Sequence, residues 1–310
     1  MRSLRPLVEV PLLLLGAATI VFFLIHLIPG DPAAAMLGEG AAPSDVAALR
    51  KDLGLDRPLP EQYVTWFGGL LHGDLGTSIV TRRKVVREIG NAIPATAALA
   101  LAAFFAALLV AVPAGVIGAL RRGRLPDKLL RVFSLLGVST PNYVSGPLLV
   151  LFFSVTLGLL PVSGREAPGS IVLPAVTMGL ALAALLSRMI RASLAEELSR
   201  GYVLAARARG ESATLAALRH AGRNALPPVL VVAGLQFGSL LTGAVVTETI
   251  FSWPGVGRLL IQAIQRRDYP TVQGCVLFIA AVYIAVNAFV DVVAVRLDPR
   301  SARVSRRDAG

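Results

Sequence analysis

Six stretches of this chain are apolar for about as long as a helix needs to cross a membrane, and polar, charged segments separate them. They run from Leu7 to Leu27, Ile93 to Leu120, Val132 to Leu160, Ile171 to Ser187, Leu226 to Val246 and Thr271 to Val290. A hydrocarbon core of about 30 Å takes roughly 20 apolar residues in a helix, because only a helix or a closed barrel satisfies its own backbone there. The pattern therefore predicts an all-α integral membrane protein with six transmembrane helices. The fourth run reaches full length only if it continues to Ile190, and Pro141 and Pro147 predict a bend in the third. In Leu27 to Pro32, which reads LIPGDP, two prolines and a glycine stop the first helix. Between Pro58 and Leu71, the residues Tyr63, Trp66, Phe67, Leu70 and Leu71 recur at spacings of three and four. That spacing predicts a short amphipathic helix, which either meets an external partner or lies on the outer membrane surface.

The chain is 55% hydrophobic with a mean hydropathy of +0.69, too apolar for a domain whose whole surface is solvated. Lysines and arginines set the orientation. With the N-terminus inside, the cytoplasmic side receives 19 of the 30 basic residues and 8 of the 19 acidic ones. Arg82, Arg83, Lys84 and Arg87 fall outside in this arrangement, within a long loop where the rule is weak. The resulting division is a first transmembrane helix at 1–28, an extracytoplasmic segment at 29–90, a five-helix core at 91–295 carrying a cytoplasmic loop at 191–224, and a cytoplasmic tail at 296–310. Both termini are expected in the cytoplasm. The first apolar run is longer than the roughly 7 to 15 residues of a cleaved signal core, so an uncleaved anchor is expected although Ala33, Ala34 and Ala35 follow it. A pI near 10.9 would fit nucleic acid, but the cations cluster beside helix ends. Topology and anionic membrane lipid account for them, and no nucleic-acid partner is expected. Cys275 is the single cysteine, so the chain has no internal disulfide.

The segment from Ser187 to Arg223 is basic and alanine-rich, unlike the apolar runs on either side of it. Good helix formers from Tyr202 to Arg209 end at Gly210, which can take the left-handed cap without a side-chain penalty. Ser212 can then cap a second short helix running toward His220. Ala205, Ala206 and Gly210 make the pattern A-A-x-x-x-G. Small alanines on one face let another protein approach closely, with Arg207, Arg209 and Arg219 around the rim. A basic amphipathic helix resting on lipid is the competing reading.

These residues resemble the inner-membrane permease subunits of ATP-binding-cassette importers, specifically the dipeptide, oligopeptide and nickel group. In that family an E-A-A-x-x-x-G type loop docks into a groove of the ATPase. Leu204 stands at the glutamate position here, as is usual in the peptide branch, and RHAGRNALPP from Arg219 to Pro228 has Gly222 where the branch has leucine. The resemblance covers nearly the whole chain. It includes LIPGDP, HGDLGTS from His72 to Ser78, LPVSG from Leu160 to Gly164, TETIFSWPGVGRLL from Thr247 to Leu260, RDYPTVQG from Arg267 to Gly274, and LDPR from Leu297 to Arg300.

The resemblance implies a non-enzymatic transport subunit in the inner membrane, with Ala205, Ala206, Arg207, Arg209 and Gly210 docking an ATPase. Its implied partners are a second homologous permease, two ATP-binding subunits that carry ATP and Mg, and an external solute-binding protein. The implied solute is a di- or oligopeptide, with nickel or glutathione as alternatives. Gln236, Gly238, Ser239 and Thr242, polar or small residues in the fifth run, are the expected lining of the translocation path. The three lysines, Lys51, Lys84 and Lys128, follow Arg or Asp, so no phosphate-binding Gly-Lys step exists in the chain. An autonomous secondary carrier, the alternative class, normally buries ionisable groups deep in its helices, and none falls in the apolar cores of runs two to six. His26, His72 and His220 lack metal-ligand spacing, and no catalytic constellation is present.

Overall fold

The structure is a computed structural model that describes residues 5–26, 31–38 and 40–297. The Leu27–Gly30 part of the expected LIPGDP turn and the tail from Asp298 onward lie outside the described residues. The described residues form helices joined by turns, with one isolated antiparallel bridge between Thr77 and Lys84. In order they form α1 (Arg5–His26), α2 (Pro32–Leu37), α3 (Pro43–Asp52), α4 (Leu59–Leu71), α5 (Val85–Leu120), α6 (Leu125–Ser139) and α7 (Asn142–Leu149), the last continuing as a wider π turn (Val150–Thr156). Then come α8 (Val172–Leu198), α9 (Gly201–Ala208), α10 (Ala213–Ala216), a π turn (Ala217–Ala221), α11 (Gly222–Ile250), α12 (Val256–Gln265) and α13 (Tyr269–Leu297).

Each apolar run corresponds to a helix or a broken pair. α5, α8, the continuous run Ala213–Ile250 and α13 are each long and apolar enough to span, while α1 carries the shorter apolar stretch Val10–Phe23. The third span is broken rather than merely bent. α6 and the α7 segment meet at 108°, because Thr140 is driven into extended backbone (ψ 113°) ahead of Pro141, which has no N–H to continue the ladder. Pro147 sits inside α7 without ending it. Several helices also run past their apolar stretch: α8 reaches Leu198 and α11 reaches Ile250. Hydropathy marks the lipid-immersed part of a helix, whereas caps set its ends.

The chain divides into two compact units, residues 1–96 with 254–284 and residues 97–253 with 285–310. They cut across the segments drawn from the sequence because α5 and α13 each contribute to both. In the first unit, the aromatic face of α4 packs inward. Trp66, Phe67 and Leu70 lie against Ala18, Val21 and Leu277, and the Phe22 ring meets Tyr63 edge-on at 5.2 Å. The predicted amphipathic helix thus uses its aromatic stripe inside the chain, leaving Val64 and Leu71 exposed. In the second unit α8 is central, with 61% of its most apolar stretch buried, more than any other span. Small residues allow this density: a Cβ on Gly179 would stand 2.7 Å from the Ala103 carbonyl oxygen, and one on Gly137 would stand 2.6 Å from the Ala184 Cβ.

Candidate functional site

α8 ends at Leu198, and Arg200 turns the chain into α9. Its guanidinium reaches back to Glu196 at 2.9 Å and to Glu197 at 3.6 Å in the last turn of α8. Tyr202 then ties α9 to two longer helices. Its hydroxyl donates to Glu197 of α8 and accepts from Asn224 Nδ2 of α11 at 2.9 Å. Partial burial, and then the bond to Glu197, push the Tyr202 hydroxyl above its ordinary pKa, so it remains a donor at neutral pH.

The inner face of α9 is apolar and closed. Val203 is fully buried with Leu194, Ala216, Ala217 and Ala221, and Ala206 is 1% exposed. Ala205, Arg207, Arg209 and Gly210 are exposed, and Leu204 is 50% exposed beside them. The two alanines of the motif therefore face opposite ways, with Ala205 available to a partner and Ala206 spent on internal packing. The outward set has an apolar middle and a basic rim, the composition of an interface core and its border.

The turn after α9 follows the sequence expectation. Gly210 sits at φ +96°, with open space where a side chain would be, so its requirement is conformational. Ser212 caps the next helix, its Oγ accepting from Leu215 N at 3.2 Å, and Glu211 pairs with His220 at 2.9 Å across the turn. The expected second short helix differs in one respect: it does not end. A π turn carries it through Gly222 (φ −59°, ψ −41°) into α11, giving one helix from Ala213 to Ile250. The rod is continuous but not uniform, since the π turn and then Pro227 and Pro228 interrupt its hydrogen-bond ladder.

The four residues expected to line the path lie on that rod, with Gly238 on a different side from Gln236 and Ser239. Ser239 is exposed and Gln236 half-buried, whereas Gly238 is buried against α13, where a Cβ would approach Val286 Cγ1 to 3.1 Å. Thr242 Oγ1 bonds back to the Ser239 carbonyl at 3.2 Å. The structure thus places Gly238 in helix packing, and Gln236 and Ser239 on accessible surface. α11 also extends past the expected end at Val246 and carries Glu248, a fully buried acid that the apolar run stopped short of. One turn on, the LPVSG and SWPG motifs meet. Gly164 N donates to the Phe251 carbonyl at 2.9 Å, and the Arg165 guanidinium lies 5.7 Å from the centre of the Trp253 ring.

Sequence reasoning missed a brace about two turns before the same end of α8. Asp127, at the first turn of α6, is fully buried and accepts from Arg191 Nη2 at 3.0 Å and Nε, from Arg131 Nη2 at 2.9 Å, and from Gly123 N at 2.8 Å. Its partners lie up to 64 residues away, so no local pattern signals it.

Residues 111–303 match the family described as binding-protein-dependent transport system inner membrane component, and residues 3–100 match that family's N-terminal domain. The chain belongs to this family. It is 39% identical over 282 residues to the glutathione transport system permease protein GsiC of Escherichia coli K12, covering 91% of this chain and 92% of that one. It is 41% identical over 286 residues to GsiC of Salmonella typhimurium LT2, covering 92% and 94%. In fold it is similar to a chain of the MetNI methionine ABC transporter in an inward facing conformation, with a TM-score of 0.51 and 19% identity over 66% of this chain and 95% of that chain. The protein is thus a multi-pass inner-membrane permease component of an ABC importer, and family membership brings ATPase and binding-protein components with it.

Proposed function

We propose that this chain pairs with a second homologous permease and two cytoplasmic ATP-binding subunits, and passes short peptides, glutathione included, from an external binding protein across the membrane. Both termini lie in the cytoplasm, and residues 29–90 lie outside. ATP and Mg are held by the partner subunits, and this chain contributes no chemistry of its own. The solute class rests on the relatives, whose name specifies glutathione, itself a tripeptide.

One observation carries the docking assignment. The outward face of α9, with Leu204, Ala205, Arg207 and Arg209, is held by Tyr202 against α8 and α11 and leads through the capped turn into the helix bearing Gln236 and Ser239. A partner that displaces α9 displaces α11 with it. This is rigid-body coupling between two states, and it requires that the ATPase contact α9 differently in each.

The test is co-purification of the tagged chain with its ATP-binding subunits, scored by subunit stoichiometry and bound ATPase activity. The triple variant Ala205→Glu, Arg207→Glu, Arg209→Glu alters exposed positions only and should lose the ATPase while the second permease is retained. A variant that keeps a full complement of ATPase removes α9 from the docking surface. Uptake of labelled glutathione and of a labelled dipeptide by the reconstituted complex then tests the solute.

A further inference from the structure

Four cations of the extracytoplasmic segment, Arg82, Arg83, Lys84 and Arg87, stand on the side where the distribution of Lys and Arg gives no reason for them. The structure brings a second basic group to the same place. Asp268, 3% exposed, accepts from Ser78 Oγ, from Ile79 N at 3.1 Å and from Thr271 Oγ1 at 2.8 Å. Ser78 in turn anchors the arginine turn: its carbonyl accepts from Arg82 N at 3.0 Å, and its N–H donates to the Arg83 carbonyl at 2.9 Å. Arg266 and Arg267 immediately precede Asp268, so one hydrogen-bonded junction links the backbones of both basic groups. Arg82, Arg83, Arg87, Arg266 and Arg267 are all exposed.

The geometry of this junction is rigid and strained. Arg82 and Arg267 have φ of 59° and 55°, two of the three positive values at non-glycine residues among those described. A long side chain in that region costs about 1 kcal/mol or more and persists where surrounding bonds impose it. Nearby, α12 and the start of α5 enclose a cleft of about 320 Å³ lined by Glu88, Asn91, Pro254, Arg258 and Gln262, which places a further arginine beside the group. Lys84 belongs to a different arrangement. It pairs with Asp74 at 3.2 Å, and the Asp74 carboxyl is held below its ordinary pKa first by the bond from Gly76 N and then by Lys84.

Charge along the outer segment and the α12 stretch is also polarised. Between Asp31 and Glu61 there are six acids and three bases, whereas the stretches 74–88 and 258–268 together hold three acids and seven bases. A polybasic segment that only attracts lipid needs no fixed backbone, and the anionic surface potential that rewards such segments belongs to the cytoplasmic leaflet. A fixed array of cations instead fits a fixed array of anions on a folded partner.

We propose that Arg82, Arg83, Arg87 and Arg266 form a docking surface for an acidic patch on the external solute-binding protein. The inference rests on the importer reading and on the orientation given above. The array steers the binding protein to this chain and sets its register, contributing to association rate more than to the lifetime of the complex.

The experiment uses the assembled transporter in proteoliposomes and measures stimulation of ATP hydrolysis by the loaded binding protein as its concentration is raised. The variants are Arg82→Glu, Arg83→Glu, Arg266→Glu together, and the same three positions changed to Lys. Charge reversal should raise the half-maximal binding-protein concentration by about 10- to 100-fold at low ionic strength, and the difference should shrink at about 1 M salt, where the Debye length is near 3 Å. Basal ATP hydrolysis should stay unchanged in both variants, and the lysine set should follow the wild type. Equal half-maximal concentrations for the reversed and wild-type complexes would overturn the proposal while leaving the importer reading intact. A reversed variant that loses only a dependence on phosphatidylglycerol content, with its binding-protein curve unmoved, would make the patch a lipid site and also overturn it. A wild-type complex unresponsive to any concentration of binding protein would remove the importer reading, and this proposal with it.

Discussion

Asp127 and Asp268 are both buried carboxylates that join distant parts of the chain, yet their surroundings neutralise them in opposite ways. Asp127 faces two guanidinium groups, Arg191 and Arg131, with one backbone N–H in support. Among the described residues, Asp268 is instead satisfied by two hydroxyls and the Ile79 N–H. The difference has a structural consequence. Where arginine supplies the compensation, the cation is drawn in, and the Arg191 side chain is only 19% exposed. Where dipoles supply it, the neighbouring arginines stay on the surface, as Arg266 does two residues before Asp268.

The contrast predicts the largest effect at Asp127. Replacing it with Ala leaves Arg191 mostly buried without its counter-charge, and the assembled protein should lose about 3 kcal/mol, read as a fall in unfolding midpoint in detergent. Exchanging both partners, Asp127→Leu with Arg191→Met, should recover most of that loss, since neither charge then remains to be solvated. Equal losses in the single and double variants would mean that packing, not charge, governs this corner.

At Asp268 the corresponding change should be milder. In Asp268→Asn the amide oxygen can still accept from Ile79 N, while the new NH₂ meets Ser78 and Thr271 hydroxyls that can rotate to accept. The expected cost is about 1 kcal/mol, rising to about 2 kcal/mol in Asp268→Ala, where those donors are stranded. If Asn at 268 costs as much as Ala at 127, the two junctions are not different in kind.

A hydroxyl on α9 extends the comparison to function. Tyr202→Phe removes the group that donates to Glu197 and accepts from Asn224, with a stability cost of about 1 kcal/mol. ATPase subunits should still co-purify, because Tyr202 holds α9 to its own chain. The ratio of solute moved to ATP hydrolysed should fall severalfold. An unchanged ratio would mean that the buried contacts of Val203 alone carry the coupling.

How far these features could be read from the sequence follows the range of the interaction behind each. The spans were legible from hydropathy, and the Gly210 turn and Ser212 cap from local chemistry, since each depends on residues within a few positions of one another. The break at Thr140–Pro141 was legible as a bend, but its 108° angle was not, because proline determines which bond is lost and packing sets the angle. The opposite facing of Ala205 and Ala206 required knowing which side of α9 the π turn would cover. The junctions at Asp127 and Asp268 were invisible, because their partners lie up to 64 and 190 residues away and carry no periodic signature. Glu248 was missed for a different reason, since the apolar run ends before the helix does.

The smallest predicted effect concerns the second arginine at Asp127. Arg131 sits one helical turn after the carboxylate, and its side chain is 62% exposed, so water already solvates the guanidinium and the pair gains little from closing. Arg131→Gln should therefore cost no more than about 0.5 kcal/mol, and that difference should vanish in high salt, where an exposed pair is screened. Arg191→Gln should cost several times more and should respond weakly to salt, because its bonds to Asp127 are shielded from solvent. Comparing the two unfolding midpoints across a salt titration separates the buried part of the junction from its exposed rim. If both variants lose the same stability and both losses fade with salt, Asp127 is compensated by solvent-screened charge, and its distinction from Asp268 reduces to exposure.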